Sequence, residues 1–335
     1  MIIESALDLI FRDLFYRLPA FAGSHDVFLK LEGFNVTGSI KIKTAIELVE
    51  DLERQGIARP HETVLVESSS GNLGLALSLV SAIKGYEFIC VTDPNANRSA
   101  IRGIELYGGR VIVVEDRDPA NGYLGSRLKK ISEILKSDPN AVWLNQYANL
   151  ANKNAHARQT GSEIAREFDK LDWIFVGTGT TGTLAGVSEQ LREKFPEIKV
   201  VAVEPVGSVT FGGAPAKRNI PGIGTSVRPK LADFAKPDRI VEVSEAKTVE
   251  ACLSFVRDYH LLVGGSTGTV LAAVQQLARE FRSGDTIVAI SPDLGEKYLD
   301  TVYDPIWVDH AIGSEDTVAP VEVELKQTYA LVAVD

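Results

Sequence analysis

A chain of 335 residues that is 45% apolar and 24% charged has the composition of a folded globular protein, and it is too long for one ordinary core, so two domains are expected. A net charge of -10 speaks against nucleic acid or an anionic membrane as a general partner, while a local basic pocket for an anionic substrate stays possible. With two cysteines, no C-x-x-C pair and no Cys/His cluster, neither a zinc site nor a disulfide framework is expected, and no metal is assigned.

From the start of the chain, Ile2 to Leu18 mixes Glu4, Asp8, Arg12, Asp13 and Arg17 among apolar residues. This reads as an amphipathic helix rather than a secretory signal. No apolar run is long enough to span a bilayer, so a cytoplasmic location is the expectation. The apolar stretch Val27 to Leu31 then leads through Glu32-Gly33-Phe34-Asn35-Val36-Thr37-Gly38-Ser39-Ile40-Lys41 into a helical pattern at Ile42, Ala45, Ile46, Val49 and Leu52. That is strand, turn and helix, with Lys41 in the first helical turn. The partial positive charge of a helix N-terminus disfavours a cation and lowers its pKa. An easily deprotonated amine can form a Schiff base with an aldehyde. A solvated surface lysine is the plainer alternative, and two later loops weigh against it.

The strand Thr63–Val66 and the helix Leu73–Lys84 flank Glu67-Ser68-Ser69-Ser70-Gly71-Asn72. Hydroxyls and backbone N–H groups at a helix N-terminus suit a carboxylate or phosphate. The same residue types also make ordinary helix caps. A strand (Glu87–Thr92, with Cys90 expected in the core), a helix (Arg98–Tyr107), a strand (Arg110–Val114) and helices at Gly125–Leu135 and Lys153–Phe168 follow. After the strand Trp173–Val176 comes Gly177-Thr178-Gly179-Thr180-Thr181-Gly182-Thr183, then the helix Leu184–Phe195. Glycines let amides approach an anion and threonines add donors, which predicts phosphate binding. Gly177, Gly179 and Gly182 also fit G-x-G-x-x-G, and Glu204 follows the next strand, Lys199–Val203, where a ribose-binding acid would stand in a dinucleotide fold. A nicotinamide dehydrogenase is therefore a rival. Against it, the motif lies mid-chain, its threonines suit a terminal phosphate, and Lys41 and the Ser69–Asn72 loop are left without a role. The helix Thr248–Tyr259 carries Cys252, again expected in the core; Gly264-Gly265-Ser266-Thr267-Gly268 opens the helix Val270–Phe281, and the strand Thr286–Ser291 follows. The alternation predicts an α/β, doubly wound fold. Beyond His310, Val321-Glu322-Val323-Glu324-Leu325 alternates, which leaves an edge strand, a subunit contact and a loose extension all open.

Taken in order, these segments resemble the cysteine synthase/cystathionine β-synthase family of fold type II pyridoxal-phosphate enzymes, from about Val27 to Leu299. Asn35 to Lys41 resembles the lysine loop, Ser68 to Gly74 the substrate-carboxylate loop, and Asn145-Gln146-Tyr147-Ala148-Asn149 a second carboxylate contact. Gly179 to Thr183 resembles the phosphate cradle, Pro221-Gly222-Ile223-Gly224 the pocket floor, and Pro292 to Tyr298 the turn after the last strand. The resemblance implies a tryptophan synthase β-like arrangement of two doubly wound domains with the active site between them. Residues 1–40 and 151–310 would form the large cofactor-binding domain, 41–150 a small mobile substrate domain, and 311–335 a C-terminal extension. It also implies a homodimer.

The resemblance further implies pyridoxal 5'-phosphate in a Schiff base with Lys41, which also moves the Cα proton. Asn72 would meet the ring hydroxyl, Gly179, Thr180, Thr181, Gly182 and Thr183 the phosphate, and Ser266 the pyridine nitrogen. Ser68, Ser69, Ser70, Gly71 and Gln146 would surround the substrate α-carboxylate, with Gly222 in the floor. A hydroxyl at the pyridine nitrogen cannot stabilise a full positive charge there, so the ring is a weak electron sink. That suits β-elimination to an aminoacrylate followed by addition of a nucleophile.

One departure stands beside the lysine, where the family commonly has Asp-Arg and this chain has Ile42 and Lys43. The stretches Glu67 to Gly74, Gly122-Tyr123-Leu124, Arg127, Asn145 to Asn149, Gly207 to Gly212 and Tyr298-Leu299-Asp300 resemble one branch in particular. Its siderophore enzyme, of the staphyloferrin B pathway, makes N-(2-amino-2-carboxyethyl)-L-glutamate from O-phospho-L-serine and L-glutamate. That product feeds 2,3-diaminopropionate synthesis, for siderophores or, elsewhere in the branch, peptide antibiotics. Arg127 is then the expected phosphate-binding cation, with Lys43 and Arg98 behind it, and Tyr147 would shape the nucleophile pocket. Gly179 departs from the branch, whose siderophore enzyme has serine there, and agrees with cysteine synthases. A cysteine synthase using O-acetylserine or O-phosphoserine is thus the alternative. A catalytically silent paralogue is disfavoured by the intact lysine and both anion loops.

Overall fold

The computed structural model describes residues 2–23, 25–69, 71–118 and 122–313. The predicted site residue Ser70 and the alternating tail lie outside the described residues. The strands are β1 (Phe15–Arg17), β2 (Asp26–Leu31), β3 (Val64–Ser68), β4 (Glu87–Thr92), β5 (Arg110–Val113), β6 (Ala141–Trp143), β7 (Trp173–Gly177), β8 (Lys199–Pro205), β9 (Arg239–Val243) and β10 (Thr286–Ser291). The helices are α1 (Lys41–Arg54), α2 (Asn72–Lys84), α3 (Arg98–Leu106), α4 (Gly122–Ser137), α5 (Leu150–His156), α6 (Ser162–Glu167), α7 (Gly182–Lys194), α8 (Glu245–Tyr259), α9 (Gly265–Leu277) and α10 (Pro305–Ile312).

Two sheets form, in the orders β1-β2-β10-β7-β8-β9 and β5-β4-β3-β6. Every pairing is parallel except β1 with β2. The larger sheet is covered on both faces, which is why its central strands read as continuous apolar runs. Successive side chains point to opposite faces. Phe175, Val201 and Ala289 therefore join α8 and α9 in one core, while Ile174, Val200 and Val288 join α7 in another. The smaller sheet repeats the plan, with α1 and α2 against Leu65, Phe88 and Cys90, and Ile131 and Ile134 of α4 against Val66 and Val91. Cys90 and Cys252 are both buried and unpaired, and burial pushes each thiol up to about 12. Among the described residues, no helix is long and apolar enough to cross a membrane.

Two expectations are corrected. The N-terminal segment is not a helix beyond the single 3₁₀ turn Ala6–Asp8. Instead residues 9–18 run antiparallel beside residues 27–36, through Leu18 N–H to Val27 O (2.8 Å), Leu31 N–H to Leu14 O (2.9 Å) and Phe11 N–H to Phe34 O (3.1 Å). The open edge of β2 offers those backbone groups partners, and Phe15 and Tyr16 are strand formers, so pairing overrides the helical spacing. The predicted helix Lys153–Phe168 is also not continuous, because a π-helical turn at Ala157–Gly161 separates α5 from α6.

Candidate active site

The site lies at the carboxyl ends of parallel strands, where open α/β sheets bind ligands. The chain leaving β2 reaches α1 across the end of β10, held by the Ile40 N–H bond to Pro292 O (2.7 Å) and a Ser39–Asp293 bridge. Lys41 is the first residue of α1. It lines a cavity with Ile40, Thr180, Thr181, Thr183, Gly179 and Ser266, whose floor includes Gly222 and Ile223. The lysine loop, the threonine-glycine loop, the predicted floor and the start of α9 thus converge on one space.

The local chain explains the convergence. Helices α1, α7 and α9 all begin without a side-chain cap and without an acidic residue in the first turn. Their first N–H groups have no intrahelical partner and make the space attractive to an anion. The cap of α7 is Thr181 at φ 66°, a left-handed conformation that a β-branched residue rarely takes. Gly182 follows because a Cβ there would stand 2.4 Å from Asn152 Oδ1.

Lys41 is held below its ordinary pKa by burial, with the Asp293 carboxylate partly opposing. Burial is the leading cause. Asp293 is itself pushed up by burial, against hydrogen bonds from Tyr298 and Asn72 and the charges of Lys297 and Lys41. Asn72 is fixed from both sides: its Nδ2 donates to Asp293 Oδ2 (2.7 Å) and its Oδ1 accepts from Lys297 Nζ (2.7 Å). One Asn72 N–H proton is left for another acceptor. Tyr298 Oη donates to the same Asp293 oxygen (2.7 Å), and Asp293 Oδ1 is buried without a partner.

The second group of predicted residues gathers at the end of β3. The Ser69 hydroxyl accepts from Gly74 N–H (2.9 Å) and Gly71 N–H (3.3 Å), so it serves the start of α2 while keeping its own proton. Gln146 Nε2 donates to Ser68 O (2.8 Å). Glu67 lies beneath this loop and accepts from Ser68 N–H (2.7 Å), Gln146 N–H (3.0 Å) and Trp143 Nε1 (3.2 Å). Burial pushes its carboxyl up to about 7, with those bonds and the Arg127 charge opposing. Arg127 is mostly buried, with Nε 3.4 Å from Asp93 Oδ2. Tyr147 is raised by burial, opposed chiefly by Arg127. Asn152 ties the two groups together, because its Nδ2 donates to Gln146 O (2.8 Å) and to Thr180 Oγ1 (3.0 Å).

Two lesser cations lie elsewhere. Lys43 is fully buried, 2.7 Å from Glu163 and 2.9 Å from Glu32, which corrects the expectation that it meets the substrate phosphate. Arg98 is exposed at the start of α3. Glu204, the acid of the dinucleotide alternative, is buried and accepts from Thr178 (3.2 Å) and Ser208 (2.6 Å), which leaves it no ribose to hold.

The sequence reading passed over Asp293, Lys297, Tyr298 and Glu67 as site groups, and Asn152 and His156 entirely. One signal was available for Asp293: it directly follows the last buried parallel strand. The arrangement offers a deprotonatable amine, a donor-rich cradle without competing carboxylates, and a hydroxyl at the start of α9. These residues fit pyridoxal phosphate.

Residues 10–293 match the family model described as pyridoxal-phosphate dependent enzyme. Among solved structures, O-ureido-L-serine synthase is 31% identical, covering 94% of this chain and 98% of that one, with a TM-score of 0.83. The O-acetylserine dependent cystathionine β-synthase from Helicobacter pylori is 26% identical, covering 90% and 98%, with a TM-score of 0.84. A hydrogen sulfide-producing enzyme from Fusobacterium nucleatum is 30% identical, covering 89% and 100%, with a TM-score of 0.83.

Proposed function

The chain belongs to the pyridoxal-phosphate dependent enzyme family, and we propose that within it this protein is a β-replacement synthase that joins O-phospho-L-serine to L-glutamate, giving N-(2-amino-2-carboxyethyl)-L-glutamate and phosphate. The observation that carries the reading is the single cavity shared by Lys41, whose burial disfavours the ammonium form, and the uncapped Thr180–Thr183 cradle. The likeness to enzymes named for O-ureido-L-serine and for O-acetylserine supports replacement at a serine β-carbon.

Bound pyridoxal phosphate supplies an electron sink that makes the substrate Cα–H acidic and lets the β substituent leave. Lys41 Nζ would hold the cofactor covalently, then take the proton from Cα and later return it. Gly179, Thr180, Thr181, Gly182 and Thr183 hold the phosphate with backbone and hydroxyl donors. Asn72, oriented by Asp293 and Lys297, presents its remaining N–H to the ring hydroxyl. Ser266 stands at the uncapped start of α9 for the ring nitrogen. Ser68, Ser69, Ser70, Gly71 and Gln146 take the substrate carboxylate, and Tyr147 bounds the nucleophile pocket. Arg127 attracts the departing phosphate, since its charge is only loosely answered by Asp93 at 3.4 Å. We also infer a cytoplasmic homodimer in which residues 41–150 close over the substrate and keep water from the reacting carbons.

A second reading, a cysteine synthase, is favoured by Gly179, where a Cβ would meet nothing nearer than Gly222 O at 3.8 Å, so no steric need explains the glycine. The two separate on incubating purified enzyme with O-phosphoserine plus either glutamate or sulfide, with product mass and phosphate read together. The proposal expects phosphate and the glutamate adduct. Phosphate release with sulfide and none with glutamate overturns it.

A further inference from the structure

A line of buried polar side chains behind the cradle passes its hydrogen bonds in one direction. Asn152 is 1% exposed. Its Nδ2 faces Gln146 O at 2.8 Å, and a carbonyl only accepts, so the amide cannot be flipped. The same nitrogen donates to Thr180 Oγ1 at 3.0 Å. Thr180 therefore accepts in that contact, and its single proton must go elsewhere; Thr180 lines the cavity.

On the other side, Asn152 Oδ1 stands 3.3 Å from Thr44 Oγ1 and can only accept, so it takes the Thr44 proton. Thr44 Oγ1 is also 3.0 Å from His156 Nε2. With its proton spent, Thr44 accepts here, and Nε2 carries hydrogen. Burial and the neighbouring charges of Lys41 and Lys43 hold His156 well below its ordinary pKa, so the ring is neutral and Nδ1 is bare. Nδ1 then accepts from Thr160 Oγ1 at 3.2 Å, and Thr160 accepts from Lys43 Nζ at 3.4 Å. The chain runs Lys43, Thr160, His156, Thr44, Asn152, Thr180. It starts on an ammonium, which has no acceptor, and ends at a hydroxyl facing the cradle. The absence of a Cβ at Gly182 leaves Asn152 the room it occupies.

We propose that Asn152 is a positioning residue that obliges the Thr180 hydroxyl to donate to the phosphate, and that the one-way chain from Lys43 holds Asn152 in place. The proposal rests on reading Gly179–Thr183 as the phosphate site. Its test is the affinity of the apoprotein for inorganic phosphate and for pyridoxal phosphate, by titration calorimetry, in the wild type, Asn152→Ala and Asn152→Asp. Aspartate has the same shape but no donor, so it captures the Thr180 proton and reverses the final link. Alanine leaves that hydroxyl free to turn to the anion.

The expected loss is about tenfold or less for the alanine and about a hundredfold or more for the aspartate, the scale of a hydrogen bond to a charged group. Equal losses overturn the proposal. In a Thr180→Val background the difference between aspartate and alanine shrinks to near nothing; if it persists undiminished, charge repulsion alone explains it and positioning is overturned. A further check needs no variant: nitrogen NMR of histidine-labelled wild type shows one neutral imidazole with hydrogen on Nε2 through the neutral pH range. A His156 that titrates there, or carries hydrogen on Nδ1, refutes the chain. Wild type that binds neither phosphate nor pyridoxal phosphate removes both this inference and the functional reading. Wild type that binds both while the variants behave alike removes only this inference.

Discussion

Replacing Lys43 with methionine removes one of four charges packed together behind the active-site lysine. Lys43 lies 2.7 Å from Glu163 and 2.9 Å from Glu32, and Lys30 lies 2.9 Å from Glu163 and 3.3 Å from Glu32, with every one of these side chains at most 2% exposed. Two cations thus answer two carboxylates in direct contact. Lys43→Met leaves both carboxylates facing Lys30 alone, and breaking a buried pair in this way costs about 3–5 kcal/mol. That is a large share of the ~5–15 kcal/mol that folds an ordinary domain. Removing one carboxylate as well, in Lys43→Met with Glu163→Gln, restores the balance of charge, so the double variant should recover at least ~2 kcal/mol of the loss. Urea unfolding of the apoproteins, compared at a shared slope, reads the difference. A single substitution costing under ~1 kcal/mol, or a double variant as unstable as the two singles added, refutes the reasoning.

Glu67 makes stability depend on pH. Burial raises its carboxyl from the ordinary 4.5 to about 7 in the folded protein, so the unfolded chain releases the proton first. The Glu67 contribution to stability is therefore full below the unfolded-chain value, falls as pH rises through that window by ~3 kcal/mol for a shift of this size, and is gone above it. Urea midpoints at acid and mildly alkaline pH should differ in the wild type and differ less in Glu67→Gln; identical slopes would contradict the assignment. Gly182→Ala puts a Cβ 2.4 Å from the pinned Asn152 Oδ1, and overpacking of ~1–3 kcal/mol outweighs a helix gain of ~0.5–1 kcal/mol. A variant as stable as wild type with unchanged cofactor affinity goes against that geometry. Arg127→Ala should lower kcat/KM for O-phosphoserine by about tenfold or more while sparing pyridoxal phosphate affinity. Parallel loss of both would make Arg127 structural.

Elements with strong local signals were legible in the chain itself. The buried runs of β4, β7 and β10 and the strand-turn-helix around Lys41 were readable because apolar runs and glycine-rich turns report a parallel sheet directly. Strand β9 escaped because its exposed positions, Arg239, Ile240 and Glu242, break the apolar run, and β6 because three residues carry no period. The N-terminal arm misled because helical spacing in Ile2 to Leu18 is satisfied equally well by an edge pairing that only the folded sheet offers. Within the site, loops that carry glycine and threonine announced themselves. Asn152 and His156 did not, since their roles come from partners such as Thr180 and Thr44, 28 and 112 residues away in sequence. Lys43 was read as a substrate cation because nothing local shows that Glu32 and Glu163 close around it.

The central claim is that the Lys41 amine carries the aldehyde of a pyridoxal phosphate whose phosphate sits on Gly179–Thr183. Protein purified with the cofactor should absorb in the visible range, and reduction with borohydride followed by peptide mass mapping should place one phosphopyridoxyl group on the peptide containing Lys41. A colourless protein that takes up no cofactor, or a label found on Lys43, Lys297 or any other lysine instead, contradicts it.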